Sequence, residues 1–295
     1  MNKALGIDIG GTKISYALVD CNGEIKSEIK KVATPKTKDE IIDVLKNAIL
    51  EYENEIEFIA IATAGAVNNE NSKVIGSTAN LPFGYKDIDF QNLSNKKVFV
   101  ENDANAAAWA EYRIGASKGS NNCVMLTLGT GVGGGIIING KLLKGKAGAA
   151  GEMHFMMSRH QKRRCTCGAW DCFEAYASGN GLKQTAIEIF NDKTITTYDV
   201  IEKAEKNDEK AQLALKTWQN DIALGILGLN NIFDTDCFVL SGSMEKFVDI
   251  EEIENFVNSK TVTTPTKIYH ASAGNYAGMI GVVLLAREEF SFLVC

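Results

Sequence analysis

The sequence predicts an α/β protein made of two similar halves, and two observations carry this prediction. The first is a near-repeat: residues 5–25 and 124–143 each read as an apolar run, a glycine-rich turn, a second apolar run and an Asn-Gly pair. That order is typical of successive β-hairpins. The second observation is the alternation of strand-like and helix-like segments along the chain, which indicates α/β architecture.

The remaining elements follow in order. Apolar residues spaced on one helical face predict a helix over residues 38–53. Strands are predicted at 58–65 and 97–103, a helix from Ala104 to near Gly115, a mostly helical stretch at 199–229, a strand from Cys237 and a closing helix from Ala277. We predict a small domain at 1–117, completed by the C-terminal helix at about 277–295, and a larger domain at 118–276, with a cleft between them.

Composition limits the class of protein. With 295 residues and 45% hydrophobic residues the chain is able to bury full cores. A net charge of -6 gives no general attraction to nucleic acid or to an anionic membrane, and the basic cluster at 159–164 is expected to be a solvated loop. No apolar run approaches the roughly 20 residues of a membrane span, and the start lacks a signal peptide, so we expect a cytoplasmic protein without nucleic-acid or membrane partners.

Two glycine turns indicate phosphate binding. The first is neither a Walker loop nor a dinucleotide fingerprint, because the segment after it is strand-like and not helical. Glycine turns in hairpins can still present backbone N–H groups to an anion. Two such turns, one in each half, predict a clamp for the phosphates of a nucleotide. The residues concerned are Asp8, Gly10, Gly11, Thr12 and Lys13 in the first turn and Gly129, Thr130, Gly131, Gly133 and Gly134 in the second.

Asn102 and Asp103 stand at the C-terminal end of an apolar strand, directly before a helix. Open α/β sheets place ligand groups at this position. An aspartate there is either a helix N-cap or, beside two phosphate loops, the general base that phosphoryl transfer requires. We favour the general base.

The motifs together resemble the ROK family of sugar kinases over nearly the whole chain. The matching pieces are, in order, GIDIGGTK, ANLPF, ENDANAAAWAE, LTLGTGVGGGIIING, GAAGE, CTCGAWDCFEAYASG, VLSGS and GNYAGMIG. The resemblance implies the actin/Hsp70-like (ribonuclease H-like) ATPase fold and transfer of the γ-phosphate of ATP to a sugar hydroxyl with Mg²⁺. It also implies a homodimer, as is common in the family.

The resemblance assigns roles to single positions. Asp103 matches the catalytic base, and Gly242 falls in a motif at the nucleotide. The sugar-binding positions that it implies are Gly65, Asn80, Asn102, Asp103, Glu152 and Glu174. Carboxylates and amides suit this role because they form paired hydrogen bonds with sugar hydroxyls.

Cys165, Cys167 and Cys172 match the three cysteines of a structural Zn²⁺ site in the family. The family histidine ten residues before the first cysteine is replaced by Phe155, and His154 precedes it. Three interpretations stay open: His154 is the fourth ligand, His160 reaches back, or three thiolates bind zinc with water or another ligand, or bind none. Tight cysteine spacing in a reducing cytosol favours a metal, with His154 slightly ahead.

The sugar and the class of protein leave alternatives. Glucose is the first choice, with N-acetylmannosamine, another N-acetylhexosamine or fructose as alternatives, since discrimination depends on pocket shape. The family also contains sugar-sensing repressors with an N-terminal helix-turn-helix module. Asp8 leaves no room for such a module ahead of the first phosphate motif, so we expect an enzyme.

Overall fold

The first sheet is mixed and has the glycine hairpin near its centre. A computed structural model describes residues 3–76, 81–262 and 264–290. The strands are β1 (Lys3–Ile9), β2 (Lys13–Asp20), β3 (Lys30–Ala33), β4 (Ile59–Thr63) and β5 (Val98–Asn102), in the order β3-β2-β1-β4-β5. β1 is antiparallel to β2 and parallel to β4, and β4 is parallel to β5.

The second sheet repeats this topology. Its strands are β6 (Cys123–Leu128), β7 (Val132–Ile138), β8 (Lys141–Leu142), β9 (Cys237–Ser241) and β10 (Lys267–His270), in the order β10-β9-β6-β7-β8. β9 is parallel to β6 and to β10, whereas β8 is antiparallel to β7. Read from β8, the order matches that of the first sheet strand for strand. The predicted similarity of the two halves is confirmed at the level of strand topology.

The hairpin turns form where the glycine-containing pairs predict them. Asn139 and Gly140, between β7 and β8, have φ values of 51° and 70°. Positive φ at both central residues is the type I′ turn that Asn-Gly favours. The other pair, Asn22 and Gly23, is not followed directly by a strand. Gly23 has a φ of 82°, and an isolated bridge from Val19 to Ile25 comes before the next strand.

The helices confirm most of the predicted bounds. They are α1 (Lys38–Tyr52), α2 (Asp103–Ile114), α3 (Glu174–Ala177), α4 (Gly179–Phe190), α5 (Thr197–Glu205), α6 (Glu209–Phe233), α7 (Ile250–Asn258) and α8 (Ala277–Glu289), with short 3₁₀ segments at Tyr85–Asp87, Phe90–Leu93 and Glu245–Phe247. The predicted stretch at 199–229 is α5 and α6. α2 begins one residue earlier than predicted because Asn102 is its N-cap. No helix in the three described ranges is long and apolar enough to cross a bilayer.

The chain divides into two compact units. The first comprises residues 1–119, 135–151 and 272–295, and the second comprises 120–134 and 152–271. Residues 135–151, which the sequence division at 118 assigns to the larger domain, therefore group with the first unit. In the first unit α1 buries Ile41 and Leu45 in one cluster with Leu5 and Ile7 of β1, and α8 packs on β1, β4 and α2.

In the second unit α6 packs on α3, α4, α5 and α7. Trp218 of α6 is fully buried, and its indole Nε1 donates to the carbonyl oxygens of Ala177 and Ser178 at 2.9 and 3.1 Å. A buried indole needs such a partner because an unpaired N–H in the core is costly. These bonds fix the C-terminal end of α3, the helix that Glu174 begins.

Candidate active site

The first glycine turn joins β1 to β2 and carries the predicted phosphate-binding residues. Within it, the Gly10 N–H donates to the Lys13 carbonyl at 3.0 Å, and Thr34 closes the neighbouring side by donating its hydroxyl to the Gly10 carbonyl at 2.6 Å. Gly11, Thr12 and Lys13 are exposed. The turn therefore presents a hydroxyl, an ammonium and permissive backbone to solvent, which suits an anion.

Asp8 lies just before this turn, near the end of β1, and its ionisation is perturbed. Its pKa is raised from 3.8 to about 6, because burial and the negative charge of Asp103 raise it more than Lys13 lowers it. The side-chain oxygen Oδ2 of Asp8 and the backbone oxygen of Asp103 both lie beside Gly278, at the start of α8. A carboxyl group whose pKa is raised by burial and by a second carboxylate, beside a lysine, is typical of functional sites.

Asn102 is the N-cap of α2, the role that was the alternative for Asp103. Its side-chain oxygen accepts the N–H groups of Ala104 and Asn105 at 2.9 and 3.0 Å, and its Nδ2 donates to the Gly65 carbonyl at 3.1 Å. Gly65 has a φ of 101° in the turn after β4. The first unit thus brings together Asp8, Gly65, Asn102 and Asp103, while Asn80 lies outside the described residues.

The second glycine turn joins β6 to β7 and contacts two further predicted residues. A Cβ at Gly131 would lie 2.4 Å from Oε2 of Glu174, and the Val132 N–H donates to that oxygen at 3.1 Å. Gly242 follows β9 with a φ of 94°, and a Cβ there would lie 2.4 Å from the Leu128 carbonyl. Only glycine fits at Gly242, because its φ is positive and backbone stands in the way, whereas a Cβ at Gly131 would require Glu174 to move. Glu174 and Gly242 therefore belong to one cluster with this turn.

The three cysteines converge next to Glu174. Their sulfur atoms lie within 4.8 Å of one another, with Cys167 and Cys172 Sγ 3.5 Å apart. Cys165 Sγ is 3.5 Å from Oε1 of Glu174, which also accepts the Thr166 hydroxyl at 2.9 Å. Burial, with the neighbouring thiols, raises the pKa of Cys172 to about 12, and the Ala169 N–H lowers that of Cys167.

The three thiols suit a soft metal ion and would supply three of its ligands. Thiolates are preferred ligands of Zn²⁺, and a structural zinc site has four. No imidazole or carboxylate of residues 3–76, 81–262 and 264–290 joins the three-sulfur group. His154 instead places Nε2 3.9 Å from Oε2 of Glu174.

Phe155 occupies its position by packing. Its ring stacks on that of Phe173, with centroids 4.8 Å apart and planes at 16°, and Phe173 N donates to the Phe155 carbonyl at 2.8 Å. Phe173 is fully buried. A stack of two apolar rings is stable without a metal, so apolar contact and backbone hydrogen bonds hold this segment on the cysteine loop.

The basic cluster at 159–164 is not simply a solvated loop, and this expectation is wrong for Arg163. Arg163 is 8% exposed; its guanidinium donates to Glu188, to Thr185 and to two backbone carbonyls. The loop also wraps around Asp171. Burial would raise the pKa of Asp171, but bonds from the Tyr176 hydroxyl and from backbone N–H groups of the loop lower it to about 2. No motif marked Arg163, because its partners Thr185 and Glu188 lie in a helix further along the chain, and Asp171 was not assigned a role although it lies within the cysteine motif.

Two sheets of matched topology, each with a glycine hairpin before its parallel strands, define the actin/Hsp70-like ATPase fold. The chain belongs to the ROK family, whose model matches residues 4–289.

Three similar proteins show the range of relatives. A glucokinase of Streptomyces coelicolor is 33% identical over 98% of both chains. An N-acetylmannosamine kinase of Haemophilus influenzae is 30% identical over 97% of this chain and 96% of its own. The crystal structure of a ROK family glucokinase from Streptomyces griseus, in complex with glucose and AMPPNP, has a TM-score of 0.79 at 31% identity and covers 97% of this chain and 99% of that chain.

Proposed function

We propose that this ROK-family protein is an ATP-dependent hexose kinase that transfers the γ-phosphate of ATP to the 6-hydroxyl of an aldohexose, with glucose as the first choice. N-acetylmannosamine, another N-acetylhexosamine and fructose are the alternatives. Relatives of about 30% identity include both a glucokinase and an N-acetylmannosamine kinase, so identity alone favours neither sugar.

The observation that best supports this proposal is the arrangement at the start of α2. Asn102 caps the helix, so Asp103 is not needed as the cap, and Asp103 lies close enough to Asp8 to raise the pKa of that residue. A carboxylate beside a phosphate-binding turn is the one chemical group that a kinase needs to accept the proton of an attacking hydroxyl.

The remaining predicted residues bind and orient. The turns at 10–13 and 129–131 bind the phosphates of ATP through backbone N–H groups, with help from Lys13. Asp8 is the carboxylate suited to the hydrated Mg²⁺ that accompanies ATP and that neutralises charge on the transferred phosphate. The sugar is bound by hydrogen bonds from Gly65, Asn80, Asn102, Glu152 and Glu174.

Zinc, in this proposal, is structural. Cys165, Cys167 and Cys172 hold it, with the fourth ligand open between His154, His160 and water. The contact between Cys165 and Glu174 supports a link from the metal loop to the sugar, since a fixed sulfur would fix the neighbouring carboxylate. We also propose a cytoplasmic homodimer of two-domain subunits, for which light scattering in solution is the test of mass.

A coupled assay of ADP release against a panel of sugars tests the activity. The panel is glucose, mannose, fructose, N-acetylmannosamine and N-acetylglucosamine, with 6-deoxyglucose as the matched control that lacks the accepting hydroxyl. We expect release with at least one hexose and none with 6-deoxyglucose. Binding of a sugar without turnover of any sugar would favour the other class, a non-catalytic sugar-sensing regulator.

Asp103→Asn separates catalysis from binding. The amide cannot accept the proton, so kcat should fall by roughly 10²–10⁴ while the affinities for ATP and sugar change only a few-fold. Calorimetric titration of both ligands is the control for folding. Turnover near that of the wild type would remove Asp103 from this role.

A further inference from the structure

A fully buried carboxylate lies directly before the candidate base. Glu101 of β5 has 0% exposure. Its two side-chain oxygens accept hydrogen bonds from four groups: Asn102 N at 2.8 Å, Asn105 Nδ2 at 3.1 Å, Asn71 Nδ2 at 2.8 Å and Lys144 Nζ at 3.0 Å. A buried carboxylate is tolerated only when it is paired and hydrogen-bonded in this way.

Lys144 is the counter-charge, and it is also satisfied. Its side chain is 19% exposed. Besides Glu101, the ammonium group donates to Asn71 Oδ1 at 2.8 Å and to the Asn68 carbonyl at 3.2 Å, so its three protons have three acceptors. Lys144 follows β8 and begins the loop that continues to Gly151 in the same unit.

The pair is connected to the candidate catalytic residues by direct bonds. Glu101 accepts a hydrogen bond from the Asn102 N–H. The Asn102 side chain in turn caps α2 and donates to the Gly65 carbonyl. Glu101 also accepts a hydrogen bond from the Asn105 side chain, in the first turn of the same helix. Asp103 stands between these two anchored residues as the first residue of α2, so its backbone is fixed from both sides.

We infer that Glu101 and Lys144 are positioning residues that hold Asn102 and Asp103 in the geometry for phosphoryl transfer. This inference rests on the proposed function, in which Asp103 is the general base. A buried ion pair contributes little net stability compared with apolar residues of similar size, but in some proteins such a pair fixes one arrangement of the groups around it. Phosphoryl transfer depends mainly on such positioning.

Lys144→Met removes the charge and keeps most of the length of the side chain. A displacement of about 1 Å at the reacting groups can cost on the order of 100-fold in rate, so we expect kcat to fall roughly 10- to 100-fold, with the KM for ATP changed less than about 3-fold. Lys144→Arg keeps the charge and should retain kcat within about 5-fold. Glu101→Gln with Lys144→Met removes both charges, and it supplies a second folded variant if the single substitution unfolds.

Arg287→Met is the matched control for a purely structural effect. Arg287 is 6% exposed in the same unit and pairs with Glu57 at 3.5 Å. Its loss should lower thermal stability and leave kcat per folded molecule unchanged. In an Asp103→Asn background, Lys144→Met should lower the residual rate by less than about 3-fold, because a residue that acts through Asp103 has nothing left to position.

Native-state hydrogen exchange of Ala104 and Asn105 amides provides a readout that needs no sugar. Asn102 accepts both N–H groups, so Lys144→Met should accelerate their exchange at least about 10-fold, and Arg287→Met at matched stability should not. If the wild type phosphorylated no sugar, the proposed function would fail and this exchange would still decide the positioning. The inference would be overturned if Lys144→Met left both the amide exchange and kcat unchanged. It would also be overturned if Lys144→Met lowered the rate by the same factor in the wild type and in the Asp103→Asn background.

Discussion

Replacing Asp8 by asparagine is expected to stabilise the ligand-free protein at neutral pH. Burial raises the pKa of Asp8 from 3.8 to about 6, assisted by the charge of Asp103 and opposed by Lys13. A carboxyl group whose pKa is raised by folding binds its proton more tightly in the folded state. Its contribution to stability is therefore complete below the unfolded pKa and is lost as the pH rises through the folded pKa.

The magnitude follows from the size of the shift. A difference of about two pKa units at about 1.4 kcal/mol each gives at most about 3 kcal/mol of stability. The protein loses this stability mainly between about pH 4 and pH 6. The solvent exposure of Asp8 is intermediate, so screening by water lowers the expected loss of stability to about 2 kcal/mol. Asparagine has nearly the same shape and no charge, so the Asp8→Asn variant should not show this loss.

Urea unfolding at several pH values from about 4 to about 7.5 measures the effect. The free energies of unfolding of the wild type and the Asp8→Asn variant should nearly coincide at the acid end and diverge toward neutrality, with the variant the more stable. Asp43→Asn, at an exposed position of α1, controls for the loss of one acidic side chain from the same unit. Asp103→Asn should lower the pKa of Asp8 and reduce the divergence.

A constant difference between the two proteins at every pH would refute the reasoning, because it would mean that Asp8 does not titrate abnormally. A variant that is less stable at neutral pH would refute it as well. If the expected result is obtained, the wild-type carboxylate is retained at a cost in stability, as is common where a charged group serves binding. Mg²⁺ with ATP should then stabilise the wild type more than the Asp8→Asn variant.

Three further predictions concern other parts of the chain. Gly11→Val should raise the KM for ATP far more than the KM for sugar, since a branched side chain blocks the phosphate turn; equal effects in steady-state kinetics would count against the clamp. Glu111 is 1% exposed and accepts the N–H groups of Ala116, Ser272 and Ala273. Glu111→Ala should lower the free energy of unfolding by about 3 kcal/mol or more, and a loss below about 1 kcal/mol in chemical denaturation would contradict this. Elemental analysis without chelator should find about one Zn²⁺ per chain, and His154→Ala should weaken binding more than His160→Ala; zinc far below stoichiometric with unimpaired kinase activity would show that the site is not used.

The strand topology was predictable because its signals are local. Apolar runs, glycine turns and Asn-Gly pairs specify hairpins within about 20 residues, and two copies of the same signal specify two similar sheets. The helix that begins at Asp103 was predicted for the same reason. The role of Asp103 rests on its place at a strand end beside two phosphate turns and on resemblance to a family, those of Glu152 and Glu174 rest on the resemblance, and all three stay predictions.

The burial of charged residues was not predictable from local pattern. Arg163 looked like part of a solvated basic run, but Glu188 and Thr185 of α4 satisfy it in the interior. Glu101 looked like one residue of a motif, and only the fold brings Lys144 to it. Whether a charge is buried depends on a partner elsewhere in the sequence, which hydrophobic periodicity does not reveal.

The replacement of the family histidine by Phe155 shows what the structure adds to such a departure. From the sequence alone, loss of a zinc ligand predicts either a compensating histidine or a lost metal site. The stack of Phe155 on buried Phe173 provides a different account, because apolar contact now holds the segment that a metal bond would hold. The three thiols can then keep their convergent geometry with fewer metal bonds. Phe155→His should therefore raise zinc affinity on the order of 10- to 100-fold by supplying a fourth ligand. Phe155→Leu should lower thermal stability and leave zinc affinity unchanged. Competition with a chelating dye measures both, and equal zinc affinity in the Phe155→His and Phe155→Leu variants would refute the idea that the ring occupies the place of a ligand.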